Sequence, residues 1–125
     1  MVIDLLDHLE WYVSLHPRMQ ALIELLDRGE VYEQAEGTYE HRGIDYQILH
    51  QQSSERGHDQ ETKGTEVHVL LEGEEVFSIH DEWATRLVTT FTEGQFVLLS
   101  EGERYRFNQT TSTQRWNKRA IFTLA

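Results

Sequence analysis

The stretch Thr65-Glu66-Val67-His68-Val69-Leu70-Leu71-Glu72-Gly73-Glu74-Glu75-Val76-Phe77-Ser78-Ile79-His80 decides the fold. Two runs rich in branched and aromatic residues, Thr65 to Leu71 and Val76 to His80, flank the turn-like Glu72-Gly73-Glu74, and such runs bounded by glycine read as strands. Successive side chains of a strand point to opposite faces. Val67, Val69 and Leu71 therefore share one face of the first run, and Glu66, His68 and Leu70 share the other. The same pattern extends outward in both directions. Thr38 to Glu40 and Ile44 to Gln51 flank His41-Arg42-Gly43 as a predicted hairpin. Arg86 to Thr92 turns through Glu93-Gly94 into Phe96 to Ser100, Glu101-Gly102 turns into Arg104 to Phe107, and Lys118 to Leu124 is a final strand. The polar stretches Ser53 to Gly64 and Asn108 to Gln114 read as loops. About eight strands with glycine turns at short intervals predict a mainly β chain, a sandwich or barrel.

The N-terminal part follows a different period. Ile3, Leu5, Leu6 and Leu9 form an apolar stripe between acidic residues. His16-Pro17 then opens a second segment in which Met19, Leu22, Ile23 and Leu26 fall at i, i+3, i+4 and i+7, one face of a helix. Gly29 follows the last apolar residue and suits a left-handed C-cap. Residues 1–29 are thus predicted as two short helices packed on the outside of the β structure. With no internal repeat and a single proline, residues 1–125 read as one domain.

Composition excludes several classes of function. The chain has no cysteine, which rules out disulfides, thiolate metal sites and cysteine nucleophiles. A formal net charge of −11 repels phosphate backbones, so nucleic acid is not expected as a partner, and a ligand drawn by the field is neutral or cationic, or is an anion held by a local metal or arginine. No apolar run approaches the roughly 20 residues that span a bilayer, so no membrane partner is expected. The acidic start, with Asp4, Asp7 and Glu10, lacks the basic and apolar segments of a secretory signal, and a cytoplasmic location is expected. Gly-x-Ser-x-Gly, His-Glu-x-x-His and a glycine-rich phosphate loop are all missing.

Chemistry concentrates on the face shared by Glu66 and His68. If that face points inward, burial penalises both groups unless they are paired, solvated or bound to a metal. With Glu61, they supply carboxylate and imidazole ligands of the kind a divalent metal takes. The alternative places both on the exposed face of a half-solvated sheet. Glu103, Tyr105 and Phe107 share a second face, where Tyr105 either donates to a sugar hydroxyl or belongs to the core. His58 lies in a predicted loop near the site. His8, His16 and His41 read as surface or turn residues, and the neighbours His80 and Asp81 point opposite ways.

Several of these stretches resemble the YhcH/YjgK/YiaL family, which includes the small subunit of the evolved β-galactosidase and a sialic acid anomerase. Leu9-Glu10-Trp11-Tyr12 through Leu15-His16-Pro17-Arg18 resembles its opening, and Glu36-Gly37-Thr38-Tyr39-Glu40 the start of its first strand. Glu66 to Glu75 resembles its acidic, apolar, Gln and Gly-Glu-Glu segment, and Gly94 to Leu99 a later strand. The resemblance implies a cupin-like double-stranded β-helix, or jelly roll, with an interior pocket, a divalent metal (zinc first) and a homodimer. The family's Glu-x-His falls on Asp59-Gln60-Glu61, its Asp-x-Gln on Glu66-Val67-His68 and its Pro-x-Asp-x-His on Glu101-Gly102-Glu103-Arg104-Tyr105. Of its C-terminal lysine pair only Lys118 is kept. The function so implied is that of a divergent sugar anomerase or isomerase of carbohydrate metabolism. His68 and Glu66 would be catalytic, Tyr105, Lys118 and Glu103 would bind a small sugar, and Glu61, Glu66 and His68 would hold the metal. The alternative is a non-catalytic sugar-binding module or accessory subunit of a glycoside-processing enzyme.

Overall fold

The computed structural model describes residues 1–52, 60–81, 84–109 and 116–124. Among them, ten strands form two antiparallel sheets: β1 (Val2–Leu5), β2 (Gly37–His41), β3 (Ile44–Gln52), β4 (Gln60–Glu61), β5 (Thr65–Glu72), β6 (Glu74–His80), β7 (Thr85–Thr92), β8 (Gln95–Leu99), β9 (Arg104–Gln109) and β10 (Trp116–Leu124). One sheet has the order β1-β8-β5-β10-β3-β2 and the other β4-β9-β6-β7. The chain steps repeatedly from one sheet to the other, as in a jelly roll, and the mainly β fold expected from the strand pattern is the one observed.

Two pairs of consecutive strands, β2 with β3 and β6 with β7, are antiparallel neighbours in one sheet. The three glycine turns after β5, β7 and β8 carry the chain across to the other sheet. Sequence alone marks a turn at each point but does not say whether the next strand pairs with the last. At Gly73 the reason for glycine is local. Its φ is +96°, and a Cβ there would collide with the Asn117 side chain, whose carboxamide oxygen accepts from Glu74 N–H.

The N-terminal segment differs in part from the helical expectation. Val2–Leu5 is a strand, paired from Val2 opposite Leu98 to Leu5 opposite Gln95. Its side chains alternate, with Val2 packing toward the helices and Ile3 into the sandwich, a period of two that four residues are too few to reveal. Leu6–Leu15 is helical but wound as a 3-10 helix. Helix α1 (Met19–Asp27) presents Met19, Leu22, Leu25 and Leu26 as its buried stripe, and Gly29, at φ +77°, joins it to a one-turn helix α2 (Glu30–Glu33). Among the described residues no helix is long and apolar enough to cross a membrane.

These elements make three layers and two cores. The helices cover the outer face of the six-stranded sheet, where Met19, Leu22 and Val31 meet Val67, Val69, Phe96, Phe122 and Ile48. Between the sheets lies a second core of Leu70, Val97, Leu99, Phe77, Phe91, Tyr105 and Phe107. Strand β5, paired with β8 on one edge and β10 on the other, is buried on both faces, and this sends Glu66 and His68 into the space between the sheets.

The Gly73→Ala variant tests the crossover. Forcing an alanine to φ +96° against Asn117 is expected to cost about 1–3 kcal/mol, read as a lower midpoint in urea denaturation with an unchanged slope.

Candidate functional site

Four strands bring polar side chains to one region of the inner core: β5 contributes Glu66 and His68, β9 Tyr105, β6 Glu75 and β10 Arg119, while the exposed Gln60 of β4 meets the Tyr105 hydroxyl. His68 is fully buried, with its Nε2 3.0 Å from Glu66 Oε1. The Tyr105 hydroxyl lies 3.0 Å from Gln60 Oε1 and 3.4 Å from the same Glu66 oxygen. Aromatic rings enclose the imidazole: Tyr105 meets it edge-on with centroids 4.9 Å apart, and Phe107 stacks on it at 5.3 Å. Next to this cluster, Arg119 donates to Glu75 Oε2 at 2.7 Å and lays its guanidinium over the Phe107 ring at 3.9 Å.

Burial governs the electrostatics. It lowers the His68 pKa to about 4, aided by the Arg119 charge and opposed by the hydrogen bond to Glu66, so the imidazole is neutral at pH 7. Donation from its Nε2–H to the Glu66 carboxylate leaves Nδ1 as a bare acceptor, and Nδ1 has no partner. Burial and the Glu66 charge raise the Tyr105 phenol well above its ordinary range, which keeps it a donor. Burial also raises Glu75, and Arg119 opposes that rise. Arg119 Nε is a buried donor without a partner.

The sequence-predicted residues separate into three groups. Glu66, His68 and Tyr105 come together in the interior, and the half-solvated alternative for the β5 face does not hold. Glu61 does not join them. Both residues of β4 are exposed, and it is Gln60 whose Oε1 accepts from the Tyr105 hydroxyl. Glu61 instead lines a cleft of about 460 Å³ with Ile79, His80, Asp81, Gly102, Glu103 and Arg104. Glu103, two residues before Tyr105 on the same face of the chain, contacts the Met1 amine at 3.1 Å.

Lys118 lies on the opposite side of the six-stranded sheet. Its amine donates to the Tyr32 carbonyl at 2.8 Å, beneath the helices, so it does not line the interior. Ala120, Phe122 and Leu124 share its face, which is the helix-packing face. The cation that enters the sandwich is the next residue, Arg119. The alternation of β10 carries that signal, and the parity of Glu75 with Phe77 carries the same signal on β6. His80 bonds Ser78 and Thr85 in place of Asp81, which pairs with Arg86. His58 and Asp59 lie outside the described residues.

The expected metal set is therefore not assembled. Among the described residues no three His, Asp or Glu side chains converge as a metal site. Glu66 and His68 are bonded to each other, Glu61 faces the cleft, and the Arg119 guanidinium adds positive charge to the same interior. This donor set does not fit a divalent cation.

No protein-family model matches the sequence, and no curated protein matches it. Solved structures match the fold. Hydroxypropylphosphonic acid epoxidase (HppE) from S. wedmorenis aligns at 14% identity and a TM-score of 0.54, over 64% of this chain and 42% of that one. An FeII HppE with substrate aligns at 11% identity and a TM-score of 0.60, over 71% and 53%. Protein NMB1881 from Neisseria meningitidis aligns at 13% and 0.52, over 73% and 83%. These are cupin-fold proteins, and the chain has the cupin fold. The alignment spans about half the length of the epoxidase, and at these identities the likeness concerns the fold alone.

Two measurements probe the buried polar groups. The folded His68 pKa lies below the unfolded value of about 6.5, so the unfolded chain binds the extra proton between these values. Its contribution is complete above pH 6.5 and is lost as pH falls toward 4, by roughly 3 kcal/mol at most. Stability measured against pH should fall more steeply in the wild type than in His68→Gln across that window. Separately, Glu75→Ala leaves Arg119 buried and uncompensated and should cost about 3–5 kcal/mol, while replacing both by leucine should recover most of that loss.

Proposed function

We propose that the protein is a metal-independent sugar anomerase, a divergent counterpart of the YhcH/YjgK/YiaL proteins it resembles. The observation that carries this reading is the buried cluster in which the Tyr105 hydroxyl and the His68 imidazole both meet one oxygen of the Glu66 carboxylate. Anomer exchange needs a base at the anomeric hydroxyl and a donor at the ring oxygen. Glu66 retains slight solvent exposure, 8%, and is the group placed to take the hydroxyl proton as the bond between the anomeric carbon and ring oxygen breaks. Tyr105 holds its proton and donates to the departing ring oxygen. After rotation of the aldehyde, closure returns each proton and inverts the anomeric centre. His68, wholly buried, acts as a positioning residue through its hydrogen bond to Glu66.

A second reading is a non-catalytic sugar-binding protein. The closed packing of Phe107 and Tyr105 around His68 favours it, because no ring nitrogen reaches solvent.

Magnetisation-exchange NMR on a panel of aldoses separates the two. Accelerated exchange is expected from the wild type, unchanged by added zinc. A loss of about 10²-fold is expected in Glu66→Gln, and a smaller loss in Tyr105→Phe, both checked for folding by circular dichroism. Binding without acceleration would leave the second reading standing, and full activity in Glu66→Gln would sink the first.

A further inference from the structure

Four strands form the edges of the two sheets: β1 and β2 in the larger, β4 and β7 in the smaller. A sheet edge presents backbone N–H and C=O groups that only another strand or solvent can pair, and proteins blunt such edges by keeping them short, charged, bulged or broken by proline. Three of the four edges follow that rule. β1 has four residues and β4 two, and the five of β2 include Glu40 and His41. β7 departs from it. It runs for eight residues, Thr85-Arg86-Leu87-Val88-Thr89-Thr90-Phe91-Thr92, with no proline or glycine. Its one charge, Arg86, lies near its start and is paired with Asp81. From Leu87 opposite Ile79 to Thr92 opposite Glu74 its register with β6 is unbroken, so no bulge turns this part of the edge aside. Val88, on the outer face, is 61% exposed. Among the described residues no strand lies beyond β7.

We infer that β7 pairs with β7 of a second copy of this chain, antiparallel about a two-fold axis, and joins two four-stranded sheets into one of eight. Complementarity selects this occupant. Residues opposite one another in a sheet share a face, so a two-fold pair of this strand centres on a single residue. Centred on Thr89, it sets Leu87 against the partner's Phe91 on the inner face, Val88 against the partner's Thr90 on the outer face, and Thr89 against its own copy, all favourable cross-strand pairs. The antiparallel sense also brings Arg86, near one end, toward the partner's Glu93, just past the other end, and keeps each away from its like. Each chain carries −11, and the outer face of this sheet eases repulsion between copies, because Arg104 and Arg106 alternate there with the inward Tyr105 and Phe107. Such pairing does not depend on what the interior binds.

The test is sedimentation velocity of the full chain from about 1 μM to about 1 mM. One strand pair is smaller than the roughly 1,600 Å² of a standard interface, so the wild type is expected to form a dimer that dissociates on dilution. Val88→Lys and Val88→Glu should each weaken that dimer about tenfold or more, because the two copies of residue 88 are diagonal neighbours across the axis and like charges there repel. An equimolar mixture of the two variants should recover most of the loss, since Lys then faces Glu. Val88 is exposed, so both substitutions leave the core of the single chain intact, which circular dichroism checks. A wild type that stays monomeric across the range overturns the inference. A dimer that neither variant weakens also overturns it and puts the contact elsewhere. A loss that mixing fails to restore overturns the two-fold pairing and leaves the edge to a strand of another kind.

Discussion

The structure depends on strand β5 being buried on both faces. Its pairing with β8 and β10 satisfies the backbone, and Val67, Val69 and Leu71 anchor the helical layer on one side. On the other side the same strand must put Glu66 and His68 into a core otherwise made of Phe77, Phe91, Val97 and Leu99. Burying such groups without hydrogen bonds is costly. The neighbouring strands answer that cost with specific side chains: a phenol from β9 on the carboxylate, aromatic rings around the imidazole, and a self-neutralising pair from β6 and β10. The register of β5 with β10 is bulged between Lys118, which faces the helices, and Arg119, which faces the interior.

Much of this is legible in the sequence. The long strands announce themselves by period-two alternation between glycine turns, and the α1 stripe by its period of 3.6. The parity of Glu66 and His68 on β5, and of Tyr105 and Phe107 on β9, is enough to place each pair on a common face. Legibility fails where the signal is shorter than the period, as at Val2–Leu5 and the two-residue β4. It fails again where one residue of slip reverses a face. Resemblance to a family motif points to Glu61 and Lys118, and in each case it is an adjacent residue, Gln60 or Arg119, that meets the cluster. The pairing of Glu75 with Arg119 joins residues 44 positions apart and has no local signature.

The cupin fold alone does not settle the chemistry, because one fold hosts many sites. HppE structures at 11–14% identity share the sandwich, and they include FeII and CoII forms. In this chain the described interior offers one imidazole and one carboxylate bonded to each other, and a second carboxylate, Glu75, held by the Arg119 guanidinium. Arg119 is therefore the residue that most separates this interior from a metal centre. It supplies fixed positive charge without a metal ion, and its pairing with Glu75 offsets that charge.

The buried polar groups also constrain what stability can explain. A buried ion pair commonly contributes no more than apolar residues of the same volume, and often less. Glu75, Arg119, Glu66 and His68 are thus a poor solution if packing were the only task, particularly with His68 Nδ1 and Arg119 Nε left without partners. An unpaired buried polar atom lowers the stability of the free protein, and a ligand that satisfies it recovers that free energy on binding. Because the ligand would bind the folded state alone, its affinity would emerge directly as added resistance to unfolding.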